Sequence, residues 1–223
     1  MSLSKRHFLR GSAYVVAAGT LRPCIARAAS MLKPTYPMAL GPFYPVQKPI
    51  EDHADMTRLA GHTKRAKGPL LELTGRVLDV EGRPVAAAEV QVWQANAAGR
   101  YLHHGDHNVR APLDPDFQYY AVQKTDADGR FRFLTVKPGA YPAGDYMRSP
   151  HIHFDVAGKY DRLITQMYFS GDPWLMQDQT LLQDIGGKTN PMPERIFGKL
   201  TPGGSKLDAA ATLCQFDVVL VDG

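Results

Sequence analysis

Apolar residues recur at every second position in several runs between residues 71 and 220, too short and too often interrupted to be helices. Leu71, Leu73, Gly75 and Val77 alternate with polar neighbours, Glu81-Gly82-Arg83-Pro84 turns the chain, and Ala88, Val90 and Val92 alternate again, which predicts a hairpin-like strand pair. Phe131 and Phe133 follow the turn Asp126-Ala127-Asp128-Gly129, and the same period runs through residues 151–156, 163–169 and 216–220. Side chains two apart on an extended chain share a face, so each run offers one apolar face to a common core. A helical pattern is confined to residues 174–183, and residues 186–204 read as a loop rich in proline and glycine. The expected fold is all-β, an antiparallel β-sandwich with long loops and an extended N-terminal arm.

Of the 223 residues, 44% are hydrophobic, enough for one well-buried domain, expected over residues 70–223. Residues 29–69 form the arm, with Pro34, Pro37, Pro42, Pro45 and Pro49 and no sustained period. Within it Phe43 and Tyr44 stand between prolines, too large to leave in water, and are expected to dock on the main body. Residues 1–28 read as an export signal. They have a charged start, Lys5-Arg6-His7-Phe8-Leu9-Arg10, a moderately apolar run over 11–20, and small residues before a cleavage point in Ala26-Arg27-Ala28. The Lys5-Arg6 pair ahead of Phe8-Leu9 resembles a twin-arginine signal, a pathway that carries folded proteins, so a periplasmic mature protein is expected. The apolar run falls short of the roughly 20 residues that span a bilayer, and no membrane partner is expected for the mature form.

The same leader disposes of the basic charge. Lys5, Arg6, Arg10, Arg22 and Arg27 are unopposed by any acid within residues 1–30, so the formal +4 of the chain falls to −1 without them, and nucleic-acid binding loses its motive. Cys24 departs with the leader and leaves Cys214 alone, so no internal disulfide is expected.

Chemistry concentrates in Arg148-Ser149-Pro150-His151-Ile152-His153-Phe154. As a strand it sets His151 and His153 on one face and Ile152 and Phe154 on the other, so two imidazoles form half of a metal site. A half-buried strand with two solvated histidines has the same spacing, and the other donors must come from elsewhere. Tyr101 and Tyr141 both lie in loops, where functional side chains are commonly displayed. Tyr146 rivals Tyr141, and His103, His104, Asp106 and His107 form a rival cluster for a divalent ion. Tyr119 and Tyr120 read as packing residues.

Taken in order, the motifs resemble one family. Gly-Pro-Phe-Tyr at 41–44, Val-Trp-Gln-Ala-Asn at 92–96, Gly-Arg-Tyr at 99–101, Thr-Asp-Ala-Asp-Gly at 125–129, Lys-Pro-Gly-Ala-Tyr-Pro at 137–142, the arginine–histidine stretch and Ile-Thr-Gln-Met-Tyr-Phe at 164–169 are similar to those of the intradiol ring-cleavage dioxygenases. Within that family they most resemble the iron-bearing subunit of protocatechuate 3,4-dioxygenase. The resemblance implies a β-sandwich and an Fe(III) ion held by Tyr101, Tyr141, His151 and His153, with Arg148 and Gln166 beside the substrate. It implies cleavage of a catechol-type ring by O2 between its two hydroxyl-bearing carbons, giving a cis,cis-muconate-type diacid. By the same resemblance Tyr141 leaves the metal as a base while Tyr101 stays; the assembly is left open between a homo-oligomer, a chain that needs a partner subunit and one that works alone.

This sequence departs from the family pattern in placing Ser149-Pro150 where proline often follows the arginine directly, which bears on where Arg148 points. The helical dimerisation segment that precedes the catalytic domain of catechol 1,2-dioxygenases has no room before Leu71. The competing reading is a non-catalytic transthyretin-like, or carbohydrate- or aromatic-binding, β-sandwich module, which would not need the four donors and the arginine together.

Overall fold

The computed structural model describes residues 31–46, 48 and 53–223. The leader expected over residues 1–28 lies outside them. Eleven strands and one short α-helix form among the described residues: β1 (Leu70–Asp79), β2 (Glu89–Trp93), β3 (Tyr120–Lys124), β4 (Arg130–Val136), β5 (Tyr141–Ala143), β6 (Tyr146–Arg148), β7 (His151–Ala157), β8 (Arg162–Phe169), α1 (Gln179–Asp184), β9 (Phe197–Thr201), β10 (Thr212–Gln215) and β11 (Val218–Leu220). Nine of the strands make one sheet in the order β11-β1-β10-β9-β8-β7-β2-β3, with β4 also paired to β1, while β5 and β6 form a small sheet of their own.

The all-β expectation holds, but the sheet is mixed. β1 runs parallel to β10 and β11, and β8 runs parallel to β9. Parallel neighbours need long crossovers, and the segment between β8 and β9, which carries α1, is one. Nor do two separate antiparallel sheets face each other. The large sheet curls until it nearly closes, so that Leu73 of β1 and Phe133 of β4 share one core with Val92 of β2 and Phe154 of β7.

The expected hairpin between β1 and β2 closes only at its turn. Leu78 bridges Pro84, and the Val85 N–H donates to the Val77 carbonyl at 2.9 Å. Ala87 then takes a positive φ of 56°, and the N–H groups of Ala87 and Ala88 go to the carbonyl and hydroxyl of Thr125. That diversion sends β2 to pair with β3 and β7.

The helix expected over residues 174–183 begins later because Asp178 caps it, accepting the Leu181 N–H at 3.0 Å. The loop expected over 186–204 contains β9, which bridges β8 and β10.

On β7 the alternation holds throughout. Ile152, Phe154 and Val156 enter the core, each burial contributing about 1.5–3 kcal/mol. The opposite face, bearing His151, His153 and Asp155, is buried as well. The arm covers it at His153, where Gly41 closes over the ring, and Arg162 covers Asp155. The Met38 N–H donates to the Ile164 carbonyl at 2.9 Å and Gln166 Nε2 to the Ala39 carbonyl at 2.8 Å, so the arm lies along the stretch of β8 that β9 leaves unpaired. Phe43 and Tyr44 dock as expected, Phe43 with its ring 4.7 Å from that of Tyr101, and Tyr44 edge-on to Trp93 with its hydroxyl donating to Gln91 Oε1 at 2.8 Å.

Candidate functional site

Strand register builds the floor of the site. Trp93 on β2 lies opposite His153 on β7, His153 opposite Gln166 on β8, and His151 opposite Tyr168. Directly opposed residues share a face, so these five side chains stand on one side of the sheet. Tyr101 comes from the loop after β2, where its N–H donates to Asp106 Oδ2 at 2.7 Å. Gly99, with φ of +76°, lets that loop touch the one carrying Tyr141, since a Cβ there would lie 2.2 Å from the Ala140 carbonyl oxygen. The hairpin β5–β6 then sets Tyr141 directly across from Arg148, turning at Gly144-Asp145.

Three donor atoms converge. Tyr101 Oη lies 3.1 Å from His153 Nε2 and 3.4 Å from His151 Nε2, and the two nitrogens are 3.1 Å apart. Tyr141 packs edge-on against Tyr101, ring centroids 5.4 Å apart, and its ring lies 5.7 Å from that of His151.

Each imidazole is held differently. His151 Nδ1 donates to the Ser149 carbonyl at 2.6 Å, which leaves Nε2 with its lone pair facing the other donors. His153 is stacked on Trp93 at 4.7 Å and 7°, and its buried Nδ1 has no partner among the described residues. Gly41 closes over it, with φ of +77° and room for a Cβ only 3.0 Å from His153 Cε1.

Burial sets the protonation of the whole cluster. It pushes both histidines well below their ordinary range, helped by the charge of Arg148, so both are neutral. It pushes the Tyr101 phenol well above 10, with Tyr141 adding to the shift, and the Tyr141 phenol up to about 12 against the opposing pull of Arg148.

These residues fit a bound metal ion. The three donor atoms are spaced like ligands about 2 Å from a common ion. Two neutral imidazoles with two phenols that burial alone would keep protonated make a donor set which a hard cation completes by ionising the phenols.

Arg148 is buried and held through Nε and Nη2. Nε donates to Asp178 at 3.0 Å, and Nη2 donates to Gln166 Oε1 and to Tyr168 Oη, both at 2.9 Å. Tyr168 donates in turn to Gln166 Oε1 at 2.7 Å. Gln166 therefore spends its carbonyl on Arg148 and Tyr168 and an amide hydrogen on Ala39, so it braces the arginine.

The rivals are not brought in. Tyr146 turns to α1, its hydroxyl 2.5 Å from Thr180 Oγ1. His103 stacks on His104 and accepts the Gly105 N–H, Asp106 is taken up by backbone N–H groups, and no three His, Cys, Asp or Glu side chains form a metal cage among the described residues. Trp93, Tyr168 and Asp178 were not singled out by sequence reasoning. For Tyr168 the signal was there, since it stands two positions after Gln166 on the same strand face.

Comparison with known proteins points the same way. A family model described as Dioxygenase matches residues 40–185. The beta chain of protocatechuate 3,4-dioxygenase from Burkholderia cepacia is 46% identical over 174 residues, covering 76% of this chain and 71% of that one. Hydroxyquinol 1,2-dioxygenase from a Rhizobium species is 32% identical over 154 residues, 62% of this chain and only 49% of that protein. Among solved structures, the dioxygenase domain of a carbohydrate-binding fusion from a Streptomyces species matches with a TM-score of 0.63 over 86% of this chain and all of that domain; at 24% identity it speaks to the fold alone.

Proposed function

This chain belongs to the intradiol ring-cleavage dioxygenase family, and from that membership we propose that it is a non-haem iron(III) enzyme for a catechol-type ring. With O2 it cleaves the ring between the two hydroxyl-bearing carbons to a cis,cis-muconate-type diacid. The observation that carries the proposal is the convergence of Tyr101 Oη with the Nε2 atoms of two buried, neutral histidines at 3.1–3.4 Å, with Tyr141 alongside.

Tyr101, Tyr141, His151 and His153 would hold the iron. When bound, the ion supplies the Lewis acidity that keeps both phenols ionised and draws electron density from the substrate's oxygens. A catechol brings two hydroxyl protons, and Tyr141 Oη would serve as the base for one of them, with Tyr101 as the lasting phenolate donor. The rise that burial imposes on the Tyr141 phenol favours its keeping that proton. Arg148, fixed by Asp178, Gln166 and Tyr168, offers a preorganised positive charge where anion develops on the substrate. Phe43 and the arm, lying over Tyr101, keep bulk water from the metal side.

The 46% identity to a protocatechuate enzyme's beta chain supports a carboxylated catechol as substrate and assembly with a second chain, of its own kind or another. Residues 1–28 would direct export to the periplasm through the twin-arginine pathway. Mass spectrometry of the exported protein should then find a chain that begins after Ala28.

The decisive experiment is O2 uptake by the purified, iron-loaded protein with protocatechuate, catechol and hydroxyquinol, alongside its visible spectrum. A red-brown protein that consumes O2 with at least one of them is expected. A protein that stays colorless with Fe(III) and inert with all three defeats the proposal and leaves the binding-module reading standing.

A further inference from the structure

We propose that Asp178 is the positioning residue for Arg148, a role carried by geometry that links three otherwise separate elements. One carboxylate serves them all. Its Oδ2 accepts from Arg148 Nε at 3.0 Å and from the Ser149 N–H at 2.9 Å, and its Oδ1 caps α1 at Leu181 and also lies 3.0 Å from Arg148 Nε. Both charged side chains are nearly out of solvent, Asp178 at 0% exposure and Arg148 at 4%. A buried charge without its partner is strongly unfavourable, so each of the two favours the presence of the other. With Nε on Asp178 and Nη2 on Gln166 and Tyr168, the guanidinium plane is fixed along one side, and Nη1 is spent on none of these partners.

The sequence around Arg148 suits this arrangement. Ser149 follows the arginine and Pro150 comes after it, so position 149 keeps the N–H that a proline there would lack. That N–H is the one Asp178 accepts. The carbonyl of the same Ser149 holds His151 Nδ1 at 2.6 Å, so the carboxylate that aims the arginine also anchors the residue whose carbonyl orients His151.

The inference rests on Arg148 acting on the substrate, and the test is a double-mutant cycle of Asp178→Asn and Arg148→Ala in the iron-loaded protein. Asparagine caps a helix about as well as aspartate, but it has one accepting oxygen and no charge. We expect Asp178→Asn to lower kcat about 10–100-fold, with KM and iron content changing far less, and the double variant to lose no more than Arg148→Ala alone. Thermal unfolding of the metal-free proteins should show the same coupling, Asp178→Asn destabilising the Arg148 protein more than the Arg148→Ala protein. If Asp178→Asn does not fold, the same cycle is run with Asp178→Glu, which keeps the charge and moves it, and a smaller kcat loss that again vanishes in the Arg148→Ala background is expected. Near-normal kcat in Asp178→Asn, or losses that multiply in the double variant, overturn the proposal. Near-normal kcat in Arg148→Ala overturns the reading of Arg148 itself and reduces Asp178 to a helix cap.

Discussion

The two sheets of this molecule meet at the candidate site and hold their residues in different ways. On the nine-stranded sheet, His151 and His153 sit on a strand paired on both sides over most of its length, and Gln166 and Tyr168 sit on the neighbouring strand, whose outer edge the arm and β9 close. On the two-stranded sheet, Tyr141 and Arg148 ride on strands of three residues each. An isolated hairpin of that size is marginal in water, so its place depends on what its side chains reach. The lesson is a division of labour. The two imidazoles stand on the large sheet, and Tyr141, which is proposed to change partners during a cycle, stands on the small one beside an Arg148 that Asp178, Gln166 and Tyr168 hold still.

The sharpest way to break that comparison is to remove each phenol in turn, Tyr101 from the loop that stands over the large sheet and Tyr141 from the hairpin. Tyr101→Phe takes away the hydroxyl that lies within 3.4 Å of both imidazoles, and it should abolish turnover and strip the charge-transfer color. Tyr141→Phe should shift the color while most of the iron stays, since the remaining three donors come from Tyr101 and the large sheet. Iron content and visible spectra of the two variants check this, and equal iron loss from both would erase the distinction.

Next in size is Arg148→Ala. If the charge stabilises developing anion and does not hold metal, turnover should fall roughly 100-fold with iron and color retained. Arg148→Lys should recover only part of that, because it lacks the planar fork that spans Asp178, Gln166 and Tyr168. Loss of iron in step with activity would count against the role.

How much of this was legible beforehand follows from distance along the chain. His151 and His153 declare their shared face by a period of two, and β7 forms as that period predicts. Tyr101 and Tyr141 carry no such local mark, and only the ordered resemblance of motifs singled them out. The pairing of Tyr141 with Arg148 is local, closed by the two residues Gly144-Asp145. Asp178 could not be seen, because a contact thirty residues away through a helix cap leaves no trace in local patterning. The parallel pairs β1–β10 and β8–β9 escaped for the same reason, and β9 because Gly198 within it reads as loop. Alternation tells which face a residue takes, and turn residues tell where a strand ends. Neither says which edge the next strand joins.

Acid tests the large sheet by itself. Burial holds His151 and His153 well below the ordinary value, whereas in the unfolded chain each titrates near 6.5. Below that pH the unfolded state of the metal-free protein binds more protons than the folded one, so stability falls as pH drops, by up to about 1.4 kcal/mol per pH unit per histidine, and levels off above it. Urea midpoints of metal-free protein at pH 7.5, 6.5 and 5.5 measure the slope. His151→Gln should reduce it, and an unchanged midpoint across the range would contradict the buried neutral pair.

The smallest expected effect lies at the far end of the hairpin, and it decides whether Tyr146 or Tyr141 belongs to the site. Tyr146 pairs across from Ala143, and its hydroxyl meets Thr180 on α1, so its one polar contact ties the hairpin to the helix that Asp178 caps. Tyr146→Phe removes a single half-buried hydrogen bond and should cost about 0.5–1.5 kcal/mol of stability. Iron content and color should not change, because no donor atom is touched. Turnover should fall slightly if at all, since Arg148 keeps its bonds to Asp178, Gln166 and Tyr168 without that contact. The same preparation should be compared with Tyr141→Phe by visible spectrum and thermal unfolding. If Tyr146→Phe shifts the color as Tyr141→Phe does, the hairpin presents the wrong tyrosine to the metal, and the assignment of Tyr141 as the departing ligand fails with it.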